Sequence, residues 1–194
     1  MGFGGVALVL SFGLLYQRRL AALINVCAMQ AWAVSAAAAW QGWVQRSPGL
    51  CLVGLIVLGA NGVAIPLALH RSLRRHHGGG AVDMALGIFP GMPAGAALVA
   101  LTVLATTTMI NPVMAREDFV LALSVVLLGL LMLATRRTTL TDVIGFASIG
   151  NGLILALVGV RGMPLMVGSS VAVLMLAGAV AFGAVFLRAG EVDR

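Results

Sequence analysis

The sequence predicts an all-α polytopic membrane protein of about seven transmembrane helices. The prediction comes from the composition, the spacing of the apolar runs and the placement of the arginines. Of the 194 residues, 61% are hydrophobic and 9% are charged, whereas a soluble domain carries about 25% charged residues. So few charges cannot cover a water-soluble globule. The 25 glycines suit close packing of helices in lipid.

Seven apolar runs are the candidate spans, since a transmembrane helix needs about 20 predominantly apolar residues. The first run would be only about 22 Å long as a helix, so we interpret it as a short or truncated first span. A signal peptide is not expected there, because Arg18 and Arg19 follow the run instead of preceding it. The runs cover residues 2–16, 20–45, 49–69, 93–115, 119–135, 140–160 and 163–187.

The arginines give the predicted helices a direction. All 12 basic residues are arginines, and with the N-terminus outside, nine fall in inside loops and three in outside loops. The positive-inside rule predicts this asymmetry. We therefore expect a multi-pass protein of the bacterial inner membrane with its C-terminus in the cytoplasm. The inside arginines are Arg18, Arg19, Arg71, Arg74, Arg75, Arg136, Arg137, Arg188 and Arg194, and the outside arginines are Arg46, Arg116 and Arg161.

The chain divides into two predicted membrane segments, three helices with a basic cytoplasmic loop over 1–92 and four helices over 93–194. The loop, about residues 70–92, contains His76 and His77, but two adjacent histidines without a third ligand do not predict a metal site. We interpret this loop as a basic surface that faces anionic lipid or a partner subunit. Nucleic acid is not an expected partner, because long apolar runs separate the arginines. Cys27 and Cys51 lie within apolar runs and are interpreted as small core residues.

The polar groups within the predicted spans are all neutral. Such groups usually form hydrogen bonds between helices, and the alternative is that they line a hydrated path. The acids Glu117, Asp118 and Asp142 begin predicted helices, where the helix dipole favours negative charge. Thr139 or Thr141 is the predicted N-cap of the sixth span. The neutral polar residues are Asn25, Gln30, Ser35, Asn61, Thr106, Thr107, Thr108, Asn111, Ser124, Ser148, Asn151, Ser169 and Ser170.

Residues 115–157 and 162–186 resemble the hydrogenase-4 component E family. The most specific pieces are Arg116-Glu117-Asp118 before a span, Gly129-Leu130 followed by Arg136-Arg137, and Val143-Ile144-Gly145-Phe146 leading to Asn151-Gly152. Over the first 110 residues the resemblance rests mainly on the pattern of spans. It implies that the last three helices, residues 115–188, are similar to the K subunit of respiratory complex I. It also implies a subunit of a group 4 hydrogenase or formate hydrogenlyase-type complex.

The resemblance also implies two membrane glutamates that this chain lacks. In the family, one glutamate directly precedes the Asn-Gly pair of the sixth helix, and a second follows the Pro-Leu start of the seventh. Gly150 and Gly168 occupy these positions here. A buried glutamate holds a proton because desolvation raises its pKa, whereas glycine has no group that binds one. No residue of this chain is therefore assigned a proton-transfer role.

Two hypotheses follow from the missing glutamates. In the first, the chain is a structural subunit that packs between an antiporter-like subunit and a quinone- or hydrogenase-like module. In the second, it lines a water-filled proton or sodium path whose carboxylates come from partner subunits. The residues of that path would be Ser148, Gly150, Asn151, Gly168, Ser169 and Ser170.

Two other classes of function receive less support from the sequence. A stand-alone small transporter usually has helices interrupted at mid-membrane, and Pro66 and Pro112 are predicted to lie near span ends. An enzyme acting alone would need a catalytic or metal-binding set, and no such motif is present. We expect this chain to bind no cofactor, and the resemblance implies that iron–sulfur clusters or other redox centres belong to partner subunits.

Overall fold

The computed structural model describes residues 2–75, 88–107, 116–136 and 138–159. Within these ranges the chain is helical, and four helices are long and apolar enough to cross a membrane. The molecule is therefore a helical membrane protein. The helices are α1 (Gly2–Tyr16), α2 (Leu20–Val44), α3 (Pro48–Val57), α4 (Ile65–Arg75), α5 (Ile88–Thr106), α6 (Arg116–Thr135) and α7 (Thr139–Gly159).

The helix bounds follow the predicted apolar runs closely in most places. α1, α2, α6 and α7 begin and end within a few residues of the predicted bounds. The predicted start of the basic loop at residue 70 was wrong, because α4 continues to Arg75 and α5 begins at Ile88. Arginines near a helix C-terminus are favoured by the helix dipole, which explains why the basic sequence extends the helix. α7 corresponds to the predicted sixth span. The predicted seventh span, residues 163–187, and the loop histidines His76 and His77 lie outside the described residues.

α3 and α4 form one continuous span with an irregular centre. They are joined by a π-helical segment, Leu58–Ala64, and together they make an apolar helix over Pro48–Arg74. We predicted that Pro66 would lie near a span end and would therefore not break a helix at mid-membrane. The placement near a span end was wrong, because the apolar helix continues beyond Pro66 to Arg74. Pro66 is the second residue of α4, and Ile65 alone separates it from the π-helical segment. Proline cannot donate a backbone hydrogen bond, and here the indole N–H of Trp32 donates to the Gly62 carbonyl four residues before Pro66, at 3.1 Å.

Two clusters of apolar side chains define the two ends of the bundle. One cluster joins Leu14 of α1, Leu23 of α2, Leu69 of α4, Met132 of α6 and Ile144 of α7. These residues lie where α1, α4 and α6 end and where α2 and α7 begin, and we call this the basic end. The second cluster joins Ala7, Ala38, Val53, Ala122 and Val158, and it lies toward the opposite end. Consecutive described spans therefore run in alternating directions.

α6 and α7 pack at very short distance because of glycine. A Cβ atom added at Gly152 would lie 2.7 Å from Val126 Cγ2 and 2.9 Å from its backbone nitrogen. One added at Gly129 would lie 2.8 Å from Ile149 Cγ1. Real Cβ contacts essentially never fall below 3.0 Å, so any larger residue at either position would push the two helices apart. This packing fixes the position of α7.

The N-terminus of α7 is capped by threonines. The Thr141 hydroxyl accepts a hydrogen bond from the Thr138 backbone N–H at 3.3 Å and donates to the Thr138 carbonyl at 2.7 Å. Thr138 occupies the N-cap position before Thr139, so the predicted N-cap at Thr139 or Thr141 was wrong. Thr141 acts from the third helical position, as in a capping box. The acids expected in first helical turns lie there, with Glu117 and Asp118 in α6 and Asp142 in α7.

Candidate functional site

A network of five buried neutral side chains crosses the interior of the bundle. It joins α1, α2, the π-helical segment and α7, and each member is at most 2% exposed. We call it the amide network. Its members are Ser11, Gln30, Asn61, Ser148 and Asn151.

Gln30 is the centre of the amide network. Its Nε2 atom donates to Ser11 Oγ at 2.7 Å and to Ser148 Oγ at 3.1 Å. Its Oε1 atom accepts from Asn151 Nδ2 over a longer distance of 3.4 Å. A carboxamide provides two donors and an acceptor oxygen, so one side chain connects three others on two neighbouring helices.

Asn61 and Ser11 extend the network in opposite directions. Asn61 Nδ2 donates to Asn151 Oδ1 at 2.9 Å, which links the π-helical segment to α7. Ser11 Oγ donates to the Ala7 carbonyl at 2.8 Å within α1. Each member therefore has a protein partner, and this satisfies groups that would be costly to bury in a lipid environment without one.

Local helix geometry places the α7 members on one face. Ser148 and Asn151 are three residues apart, a spacing that puts two side chains on neighbouring turns of the same helix face. Gly150 lies between them in sequence and is buried. The structure thus brings Ser148 and Asn151 together at Gln30, whereas Gly168, Ser169 and Ser170 lie outside the described residues.

The network contains residues that the sequence had not assigned to the candidate site. The sequence identifies Gln30 and Asn61 only as neutral groups within spans, and it does not single out Ser11. The signal for Ser11 was available, since it is a polar residue within the short first apolar run. The rotation and packing of the helices decide which polar residues come into contact. The sequence of a single apolar run does not reveal that rotation or packing.

Other polar residues of the predicted spans lie apart from the network. The Ser35 hydroxyl donates to the Gly54 carbonyl at 2.7 Å and ties α2 to α3. Thr106 bonds to the Thr102 carbonyl of its own helix at 2.8 Å. Asn25 is exposed on α2. Ser124 is buried, and its hydroxyl has no hydrogen-bond partner within the described ranges.

Arg136 forms a second polar site, at the basic end. It had been predicted as one of the inside-loop arginines, yet it is only 4% exposed. Its Nη2 atom donates to the carbonyls of Leu14, Leu15 and Gln17 at 2.9, 3.1 and 2.7 Å. The last carbonyls of a helix have no intrahelical partner, so Arg136 caps the C-terminus of α1. Burial lowers the pKa of Arg136, but an arginine guanidinium still remains charged.

The amide network has a limited chemical repertoire. Carboxamides and aliphatic hydroxyls neither hold nor release a proton near neutral pH, and the network contains no carboxylate, histidine or cysteine. Over the parts of the chain that the structure describes, no group of three or more metal-ligating side chains occurs. The arrangement can hold four helical segments together in a fixed register.

Fold and site together define the class of this molecule as a helical membrane protein whose spans are joined by a neutral hydrogen-bond network. Comparison with protein-family models, with curated proteins and with solved structures finds no significant match to this chain.

Proposed function

We propose that this chain is a structural membrane subunit of a complex I-related, hydrogenase-4-like redox complex. In this proposal it packs between an antiporter-like subunit and a quinone- or hydrogenase-like module in the bacterial inner membrane. It has seven spans, with the N-terminus outside and the C-terminus in the cytoplasm. Redox centres belong to its partners, and the chain itself carries no catalytic site.

The observation that carries the structural role is the pairing within the amide network. A conducting path needs polar groups that face water, and a bridging water needs two to four polar partners. Ser148 and Asn151 instead bond to Gln30, and Asn151 also bonds to Asn61. Gly150, where the resemblance implies a glutamate, adds no titratable group between them. These contacts favour helix packing over proton transfer.

The charges at the two ends support the proposed orientation. The basic end holds exposed Arg18, Arg19, Arg71 and Arg74, with Asp142 as an acid in the first turn of α7. At the opposite end lie exposed Arg46, Arg116 at the start of α6, and the acids Glu117 and Asp118 in the first turn of α6. Basic residues concentrate on the cytoplasmic side of membrane proteins, which supports a cytoplasmic location for the basic end.

Co-purification tests the proposed assembly. An affinity-tagged full chain, extracted from its native membrane in mild detergent, should elute with several larger membrane subunits and with subunits that contain redox centres. A tagged membrane protein of similar size and unrelated sequence is the control for nonspecific association. A monodisperse monomer without partners would contradict the proposal. If the intact complex lost ion coupling on Ser148→Leu or Asn151→Leu while keeping all its subunits, the purely structural role would be wrong.

A reporter fusion tests the proposed topology. A reporter active only in the cytoplasm and fused after Arg194 should be active, because seven spans from an outside N-terminus leave the C-terminus inside. A fusion in the turn at Arg46, between α2 and α3, should be inactive with the same reporter. Activity at Arg46 together with inactivity at Arg194 would reverse the orientation, and equal results at both sites would contradict the span count.

A further inference from the structure

A small cleft opens at the end of the bundle opposite the basic end. Its walls come from the start of α1, the last turns of α2, the first two turns of α6 and the end of α7. Its volume is about 40 Å³. The lining residues that decide which ligand the cleft can bind are Trp40, Gln41, Asp118, Leu121, Leu155 and Val158.

The chemistry of the cleft suits a cation on an apolar chain. Asp118 provides a carboxylate, and no cationic side chain is among the described residues that line the cleft. Trp40 is 60% exposed and offers an indole ring, the aromatic face that attracts ammonium groups most strongly. Gln41 adds a carboxamide with an acceptor oxygen. Leu121, Leu155 and Val158 make the remaining wall apolar.

The size of the cleft restricts the cation. A water-sized group needs about 10–15 Å³ of this kind of volume, so the cleft has room for about three such groups. An aminoethyl group, with two carbons and one nitrogen, fits that space. A trimethylammonium group with its two linking carbons has six non-hydrogen atoms and would extend beyond this volume.

The position of the cleft indicates where the cation comes from. Helix ends of a membrane protein lie near the head groups, and tryptophans concentrate at that level. Trp40 and Trp43 both lie in the last turns of α2 and are exposed. A phospholipid in the adjacent leaflet can present its head group there while its acyl chains remain in the hydrocarbon.

We propose that this cleft binds a phospholipid whose head group ends in a primary ammonium. The ammonium group pairs with the Asp118 carboxylate and lies against the Trp40 ring, with Gln41 as a further acceptor. Its two-carbon linker contacts the apolar wall. The site favours a primary ammonium over a trimethylammonium group, because only the primary ammonium has N–H groups that can donate to Asp118 and Gln41, and it disfavours anionic head groups by charge.

Native mass spectrometry of the purified full chain tests this site. The chain is incubated with mixed micelles containing phosphatidylethanolamine, phosphatidylcholine or phosphatidylglycerol, and the retained lipid is counted. Phosphatidylethanolamine should be retained preferentially. Asp118→Asn should weaken its retention about fivefold, the scale expected for a partly exposed ion pair. Glu117→Gln is the matched control, since Glu117 is exposed, adjacent and outside the cleft lining.

A second pair of variants tests the aromatic contact. Trp40→Leu should also weaken retention of phosphatidylethanolamine, whereas Trp43→Leu should not, because Trp43 is 80% exposed and does not line the cleft. This pair decides the matter if Asp118→Asn fails to fold. Equal retention of the three lipids, or equal losses within both matched pairs, would overturn the proposal.

Discussion

Replacing Gln30 with leucine should lower the free energy of unfolding by about 2 kcal/mol. Each buried polar partner left without a hydrogen bond costs about 1–3 kcal/mol, whereas an interhelical hydrogen bond in a membrane contributes about 0.6 kcal/mol on average. Leucine has a similar volume but removes the bonds to Ser11, Ser148 and Asn151. The measurement is reversible unfolding of the purified chain in mixed detergent micelles, followed by circular dichroism.

Asn25→Leu is the matched control for this change. Asn25 lies on the same helix and is exposed, so its removal should change the unfolding free energy by less than about 0.5 kcal/mol. A double-mutant cycle with Asn61→Leu and Asn151→Leu adds an independent measurement. The two changes should be non-additive by about 1 kcal/mol, because their side chains share a 2.9 Å hydrogen bond. Equal costs for Gln30→Leu and Asn25→Leu would show that the network does not stabilise the bundle.

Replacing Arg136 with methionine should have an effect of comparable or larger size, about 3 kcal/mol, since hydrogen bonds to charged groups are each worth about 1.5–3 kcal/mol and water at the membrane surface offsets part of the loss. The change removes the donor to three carbonyls at the end of α1. The end of α1 should then fray. Limited trypsin digestion should cut after Arg18 and Arg19 faster in the variant than in the parent chain.

Two further substitutions separate the causes of that effect. Arg18→Met removes an exposed arginine from the same end and should leave the unfolding free energy nearly unchanged, so cleavage after Arg19 remains a valid readout. Arg136→Lys keeps a charge near the end of α1 but lacks the planar guanidinium. It should recover part of the lost stability. Unchanged stability and unchanged digestion in Arg136→Met would mean that the three hydrogen bonds do not hold α1.

The two sites differ in how much the sequence revealed of them. Ser148 and Asn151 are predicted as members of one polar set because they flank Gly150, where the resemblance implies a glutamate. Gln30 and Asn61 were recognised as intramembrane polar groups, but nothing in the sequence paired them, since they lie 118 and 90 residues away from their partners on α7. Arg136 followed a predicted span and was interpreted as a loop residue. Its contact with α1, 119–122 residues earlier in the chain, exists only in the folded bundle.

The sequence by itself determined that this is a membrane protein whose described residues are helical, and it determined most of the described helix bounds. Apolar run length and arginine placement are local signals that depend on the lipid environment and not on which helix packs against which. Only the tertiary structure showed that Pro66 lies within a span, C-terminal to a π-helical segment. It also showed that five neutral side chains form one hydrogen-bond network. The same holds for Asp118 and Trp40, which line one cleft although they belong to different helices. These features depend on helix rotation and on close approach at residues such as Gly152, and contacts between distant parts of the chain set both.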